Sequence, residues 1–272
     1  QLVLKMYENI FYSDTYLSPE PEPGFKTWLL RDNWLYFVIN YLGIVIRTRR
    51  KALKGIYDYK EWADSSIEIL RLIEKVGGRF MISGMDNISK AAGPVVFISN
   101  HMSTLETMIF PGIIAPRLKV TFVVKESLVK HPLFGPVMRS RNPVIVSRKD
   151  TRKDFETVMN CGTKLLSEGI SIIIFPQGRR SKTFKPEEFN TLGVKLAKKA
   201  NVPVVPTAIK TDFWGNGKII KELGKLDHRK IIYIKFGTPF SVKGTGREEN
   251  QYIIKFIQEN LTEWDNYGKI KS

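Results

Sequence analysis

The chain has 272 residues, 43% hydrophobic and 26% charged, enough to bury a core without disulfides or metals. Lys and Arg number 43 against 27 Asp and Glu, and the formal net charge of +16 favours an anionic partner: a phospholipid surface, a nucleic acid or an acidic carrier protein. The lone cysteine, Cys161, excludes an intrachain disulfide and a cysteine-rich zinc site. The histidines His101, His131 and His228 lie far apart without ligand-like spacing, so a metal site is disfavoured.

The sequence begins at Gln1, which leaves room for a preceding segment. It has no signal-peptide layout and no uninterrupted apolar run of about 18 residues, the usual minimum for a transmembrane helix. Residues 13–25 carry three prolines and a glycine and read as an extended lead-in. Trp34 to Ile46 is aromatic and apolar, and Arg47, Arg49, Arg50, Lys51 and Lys54 follow it directly. That order suits an interfacial helix on an anionic bilayer, with Trp28, Trp34, Tyr36 and Tyr41 at the lipid boundary. A buried N-terminal helix with a solvated charged flank is the alternative. Residues 62–75 repeat Ile67, Leu70 and Ile73 at helical spacing before Gly77-Gly78. A boundary near residue 76 divides a lead-in and interfacial helical element, 1–75, from an α/β domain, 76–272.

Short β-branched runs then alternate with amphipathic stretches. Strands are expected at Phe80–Ser83, Val95–Ile98, Val120–Val124, Val144–Val146, Ile172–Phe175, Val204–Ile209 and Ile231–Phe236, several apolar on both faces. Residues 150–168 place Phe155, Val158, Met159, Leu165 and Leu166 on one helical face, and residues 187–200 do so with Phe189, Leu192, Leu196 and Ala197. A last helix, 247–264, packs through Ile253, Ile254, Ile257 and Leu261. The pattern predicts an α/β fold: a mostly parallel central sheet flanked by helices, with an N-terminal helical membrane-surface element.

Two loops at strand C-terminal ends carry candidate chemistry, the usual location of α/β sites. In Ser99-Asn100-His101-Met102-Ser103-Thr104-Leu105-Glu106, Ser103-x-x-Glu106 has the form of a capping box that starts a helix. Glu106 either caps that helix or reaches back to fix the His101 tautomer and support its imidazolium. In Phe175-Pro176-Gln177-Gly178-Arg179-Arg180-Ser181, guanidinium donors and glycine-flanked amides suit phosphate oxygens, although an arginine pair is also an ordinary solvated feature. Arg148 closes the fourth strand and offers a further anion contact. Arg139 and Arg141 read equally well as exposed, and Lys125-Glu126 as a site pair or a surface pair. No GxSxG elbow, Walker A loop or dinucleotide fingerprint is present, and no zinc-finger or RNA-binding signature accompanies the charge.

Taken together, the stretch from Met81 to Phe240 resembles the 1-acylglycerol-3-phosphate acyltransferases of the glycerolipid (lysophospholipid) acyltransferase family. Four blocks carry the resemblance: Asn100-His101-x4-Glu106, the Ser147-Arg148 strand end, Phe175 to Ser181, and Val202-Pro203-Val204-Val205-Pro206. Glu106 stands where the family has Asp, Ser147 replaces an Asp, and Gln177 and Arg179 replace Glu and Thr. The last two changes make that loop more cationic.

The resemblance implies His101 as general base, Glu106 as its orienting partner, and Arg148, Arg179, Arg180, Gly178 and Ser181 around the acceptor phosphate. Asn100, Lys125 and Gln177 are supporting candidates. It implies acyl transfer from acyl-ACP or acyl-CoA, with no bound cofactor, to the sn-2 hydroxyl of 1-acylglycerol-3-phosphate. Such an enzyme would be peripheral or monotopic on the cytoplasmic face of the cell membrane. The alternatives are another acceptor (glycerol-3-phosphate, lysophosphatidylinositol or an aminoacyl lipid), or a non-catalytic basic module.

Overall fold

The computed structural model describes residues 13–20, 33–217 and 221–270. In it the short β-branched runs are strands and the amphipathic stretches helices. In chain order these are β1 (Thr15–Leu17), α1 (Trp34–Leu53), α2 (Tyr59–Lys75), β2 (Phe80–Ser83), α3 (Asp86–Lys90), β3 (Val96–Ser99) and α4 (Leu105–Ile114). There follow β4 (Val120–Lys125), α5 (Glu126–Val129), α6 (Gly135–Arg139), β5 (Val144–Val146), α7 (Thr151–Ser167) and β6 (Ser171–Ile174). The chain continues with α8 (Leu192–Ala200), β7 (Val204–Lys210), β8 (Ile232–Phe236) and α9 (Arg247–Ile270).

The strands form one sheet in the order β1-β2-β8-β7-β3-β6-β4-β5. β7, β3, β6, β4 and β5 run parallel, as expected of a sheet covered on both faces. β8 is antiparallel to β7, and β1 pairs antiparallel with β2, Tyr16 opposite Ile82. The lead-in therefore contributes an edge strand. Tyr16 and Ser18 both donate to Glu74 of α2 at 2.6 Å, which holds that edge down.

Alternation along the strands divides the core. Phe97, Ile173 and Val205 pack with α1, α2 and α4 on one face, while Val96, Ile98, Ile172 and Ile174 pack with α7, α8 and α9 on the other. The segment before residue 76 thus shares its core with the sheet. Phe155 departs from the expected α7 face: it is 39% exposed, with Lys195 Nζ 5.6 Å from its ring centroid. The helix expected over 187–200 begins at Leu192, because a short 3-10 turn at Pro186–Glu188 precedes it.

α1 is 20 residues long and takes the basic cluster into its last turns. It buries Phe37, Val38, Tyr41, Ile44 and Val45, and Phe37 and Tyr41 meet the indole of Trp214 edge-on. Tyr41 is 0% exposed, which corrects its assignment to a lipid boundary: its helical register turns it to the sheet. Trp34, Leu35, Ile39, Ile46 and Leu53 face outward instead. Trp28 lies outside the described residues. No described helix is long and apolar enough to cross a membrane.

The connections explain where a site forms. From β3 the chain passes into α4 on one face of the sheet, and from its neighbour β6 into α8 on the other. Adjacent parallel strands whose connections leave to opposite faces open a crevice beyond their C-terminal ends. The loops bearing His101 and Phe175–Ser181 begin there.

Candidate functional site

His101 follows β3, and its Nδ1 lies 2.8 Å from Oε1 of Glu106 in the first turn of α4. Glu106 makes both of the contacts open to it, reaching His101 and bonding the amides that precede its own helix. Glu106 Oε1 also accepts from the backbone amides of Met102 and Ser103 at 2.7 and 2.9 Å, while Ser103 Oγ accepts from Leu105 N. Oε2 accepts from Ser103 Oγ at 2.9 Å and from Thr211 Oγ1 at 2.6 Å. Glu106 is wholly buried. Burial works to raise its carboxyl, but the bond and charge of His101, with Thr211 and Ser103, outweigh that and hold it below the usual carboxylate range. An ionised Glu106 assigns the proton to Nδ1 and leaves Nε2 with its lone pair.

Three contacts fix the His101 loop to the loop after β6. The imidazole stacks on Phe175 with centroids 4.2 Å apart, His101 N donates to Gln177 Oε1 at 2.9 Å, and Ser181 N donates to the His101 carbonyl at 2.9 Å. Asn100 secures the other side: its Nδ2 donates to Ile209 O at 2.8 Å and its Oδ1 accepts from Ile209 N at 2.9 Å. The side chain thereby substitutes for backbone pairing where β3 stops and β7 continues. Gly178 sits at φ +69°, a conformation that favours glycine, in the turn after Phe175.

The arginines stand on different sides of this second loop. Arg180 bonds Thr104 Oγ1 at the start of α4 and reaches Glu222 at 3.4 Å. Arg148 bonds the Gly178 carbonyl and lines a cavity of about 430 Å³ on the α7/α8 face, with Val146, Ile174, Phe175 and Lys195. Asp154 of α7 accepts from Ser147 N and Arg148 N at 2.7 and 2.6 Å, holding Arg148 at φ 57°. Arg179 does not join them; it is largely exposed and paired with Glu188 at 2.8 Å, so the extra cation of this loop is compensated outside the crevice. Ser181 Oγ is spent on Thr183 O, and Lys125 is exposed at the end of β4. In α1, Arg47 pairs with Glu68, Lys51 with Glu61 at 2.6 Å, Arg49 donates to Pro132 O, Arg50 is exposed and Tyr36 is half-buried.

Thr211, Asp154, Thr104 and the stacked Phe175 were not singled out from sequence. Thr211 follows the last residue of β7, so its position at a strand's C-terminal end was the available signal. Glu222 and Glu188 gave none, since each is one acid in a charged stretch.

The family model described as Acyltransferase matches residues 79–210, which include the His101–Glu106 pair and the loop after β6. The chain carries an acyltransferase-family domain over these residues. It is similar to the 1-acyl-sn-glycerol-3-phosphate acyltransferase of Pseudomonas aeruginosa, 26% identical over 208 residues, covering 75% of this chain and 76% of that one. A chloroplastic enzyme of the same description from Brassica napus is 30% identical over 157 residues, spanning 56% of this chain and 43% of that protein. The crystal structure of the 1-acyl-sn-glycerophosphate acyltransferase PlsC from Thermotoga maritima shares the fold. Its TM-score is 0.64 at 22% identity, over 87% of this chain and 95% of that one.

Proposed function

We propose that the protein transfers a fatty acyl group from an acyl thioester, acyl-ACP or acyl-CoA, to the sn-2 hydroxyl of 1-acylglycerol-3-phosphate. The product would be phosphatidic acid. The observation that carries this is the contact between His101 Nδ1 and buried Glu106, which leaves Nε2 as the basic nitrogen. Nε2 takes the acceptor proton as the hydroxyl oxygen attacks the thioester carbonyl, and Glu106 stabilises the imidazolium. The carbon–sulfur bond then breaks, the imidazolium returns its proton to the leaving thiolate, and ester and free thiol depart. Arg180 holds the acceptor phosphate at the N-terminal end of α4, where the helix dipole also favours an anion. Arg148 adds charge from across the loop. The apolar walls of the 430 Å³ cavity suit a fatty chain.

The enzyme works at an anionic bilayer surface, peripheral or monotopic on its cytoplasmic face. Leu35, Ile39, Ile46 and Leu53 form an outward apolar stripe along α1, beside exposed Arg50 and Lys54. The decisive experiment is His101→Ala assayed with both thioester donors and 1-acylglycerol-3-phosphate. Near-complete loss of product with lipid binding retained is expected, and wild-type-like turnover would remove His101 from the reaction.

A further inference from the structure

We propose that Glu222 is a tethered competitor for the acceptor phosphate: its carboxylate rests on Arg180, gives way when the phosphate binds, and returns as the product's phosphate leaves. This role rests on the acyl-transfer reading above, in which Arg180 holds that phosphate, and it names the residue that sets how tightly the phosphate is held. Glu222 is a positioning residue that acts through Arg180.

The geometry sets up an exchange. Arg180 Nη1 bonds the neutral hydroxyl of Thr104 at the start of α4, and Nη2 meets Glu222 Oε1 at 3.4 Å. Guanidinium–carboxylate bonds ordinarily close to about 2.7–2.9 Å, so this is a single long contact. A phosphate offers several oxygens to the same planar fork, makes shorter paired bonds and wins the place. Among the described residues no other carboxylate pairs with Arg180, and the acid nearest in the loop, Glu188, is taken by Arg179. The Arg180 and Glu222 side chains are 21% and 23% exposed, so water reaches the pair and rehydrates the carboxylate once displaced.

Glu222 is placed by its backbone and left loose at its tip. It sits in a short 3-10 turn, Lys221–Leu223, within the connection from β7 to β8. Leu223 packs against the core, Trp34 Nε1 of α1 donates to Gly224 O at 3.0 Å, and Gly215 N donates to Lys225 O at 2.9 Å. Among the described residues the Glu222 carboxylate makes no second hydrogen bond. An anion tethered in this way competes at high effective concentration and moves by side-chain rotation alone. The buried Tyr41 of α1 senses both charges: burial first, with Glu222 adding and Arg180 opposing, pushes its phenol well above the ordinary value. The pair therefore acts across a weakly screened interior. Acceptor and product carry the same phosphate. A grip shared by both lowers KM without raising kcat and slows release, so a competing anion at Arg180 loosens both complexes equally.

The test uses the purified full chain with acyl-CoA and acyl-ACP supplied in parallel, and 1-acylglycerol-3-phosphate presented in neutral detergent micelles. Glu222→Gln keeps the shape and removes the charge; Glu222→Ser serves the same comparison if the amide disturbs the turn. Either should lower the acceptor KM about fivefold, lower the inhibition constant of phosphatidic acid by the same factor, and leave the donor KM within about twofold. Glu188→Gln makes the same change of charge beside Arg179 and should move neither acceptor nor product constant by more than about twofold. In an Arg180→Gln background, Glu222→Gln should leave the acceptor KM where it was. An acceptor KM that rises or is unchanged in the Glu222 variants would overturn the inference and make the pair structural. So would a fall in acceptor KM without one in the product constant, an equal response to Glu188→Gln, or an effect that persists without Arg180. Arg180→Gln with an unchanged acceptor KM would instead overturn the phosphate assignment beneath it.

Discussion

Thr211 Oγ1 donates to Glu106 Oε2 at 2.6 Å, so the carboxylate that orients His101 is tied to the end of β7 as well as to its own helix. Glu106 is thereby held from three directions: His101 on the β3 loop, the Met102 and Ser103 amides of its cap, and the β7 hydroxyl. Thr211→Val keeps the shape and removes that donor, at a cost of about 1–3 kcal/mol. The sign with pH follows from the depressed Glu106 value. The stability it contributes is full above the ordinary carboxylate range and is lost as pH falls through its folded value. Losing Thr211 raises that folded value, so acid unfolding followed by circular dichroism should begin at higher pH in the variant. Coincident acid transitions would remove Thr211 from the account.

Glu106→Gln separates orientation from charge. The amide oxygen can keep the His101 and backbone bonds, while the new NH2 faces Ser103 and Thr211, whose hydroxyls can rotate to accept. Folding should be little affected, but the imidazolium loses its counter-charge. A fall in kcat of about 10²–10⁴ is expected, with a melting temperature close to wild type. Activity within a few-fold of wild type would mean that the proton transfer needs no anion here.

The strands and the two candidate loops were legible because their signals are local. Ile172 to Phe175 read as a covered strand, observed at Ser171–Ile174, and the loop that follows carries its own arginines. What escaped depends on distance in the chain. β1 hides in a proline-rich lead-in and exists through pairing with β2 and the Tyr16–Glu74 bond across 58 positions. Tyr41 looked interfacial because composition does not reveal which side of a helix meets the sheet. Arg179 and Arg180 are adjacent and chemically identical, yet Glu188 draws one outward and Thr104 draws the other in.

Arg148 links backbone strain to chemistry. Its φ of 57° is one that Asn tolerates better than Arg, and Asp154 holds the turn through main-chain amides that any residue supplies. Arg148→Asn should therefore change stability by less than about 1 kcal/mol. Losing its charge beside the Gly178 turn should lower kcat/KM about tenfold to a hundredfold. Chemical denaturation beside steady-state kinetics measures both, and parallel losses would make Arg148 a folding residue only.

Direct transfer predicts that no acyl-enzyme accumulates. Cys161 is exposed on α7, which packs on the face of the sheet opposite α4. Cys161→Ser should leave turnover within about twofold, as for surface changes away from special features. Intact-mass spectrometry during turnover should show no added acyl group. A thioester adduct on Cys161, with activity lost in the serine variant, would replace direct transfer by a two-step route.

The membrane assignment rests on the outward side of α1, and charge and apolar contact make different predictions there. Leu35 and Ile39 are each 61% exposed, one helical turn apart. If they enter lipid, each contributes about 1.5–3 kcal/mol, and replacing both by Glu should lower binding to anionic vesicles by more than about tenfold. Neutralising Arg50 and Lys54 should weaken binding less and remove much of its salt dependence. Wild-type protein should keep measurable vesicle binding in high salt, because apolar insertion is not screened. Complete release by salt, with the Glu variants binding like wild type, would reduce the contact to charge alone and leave α1 without a lipid-facing stripe.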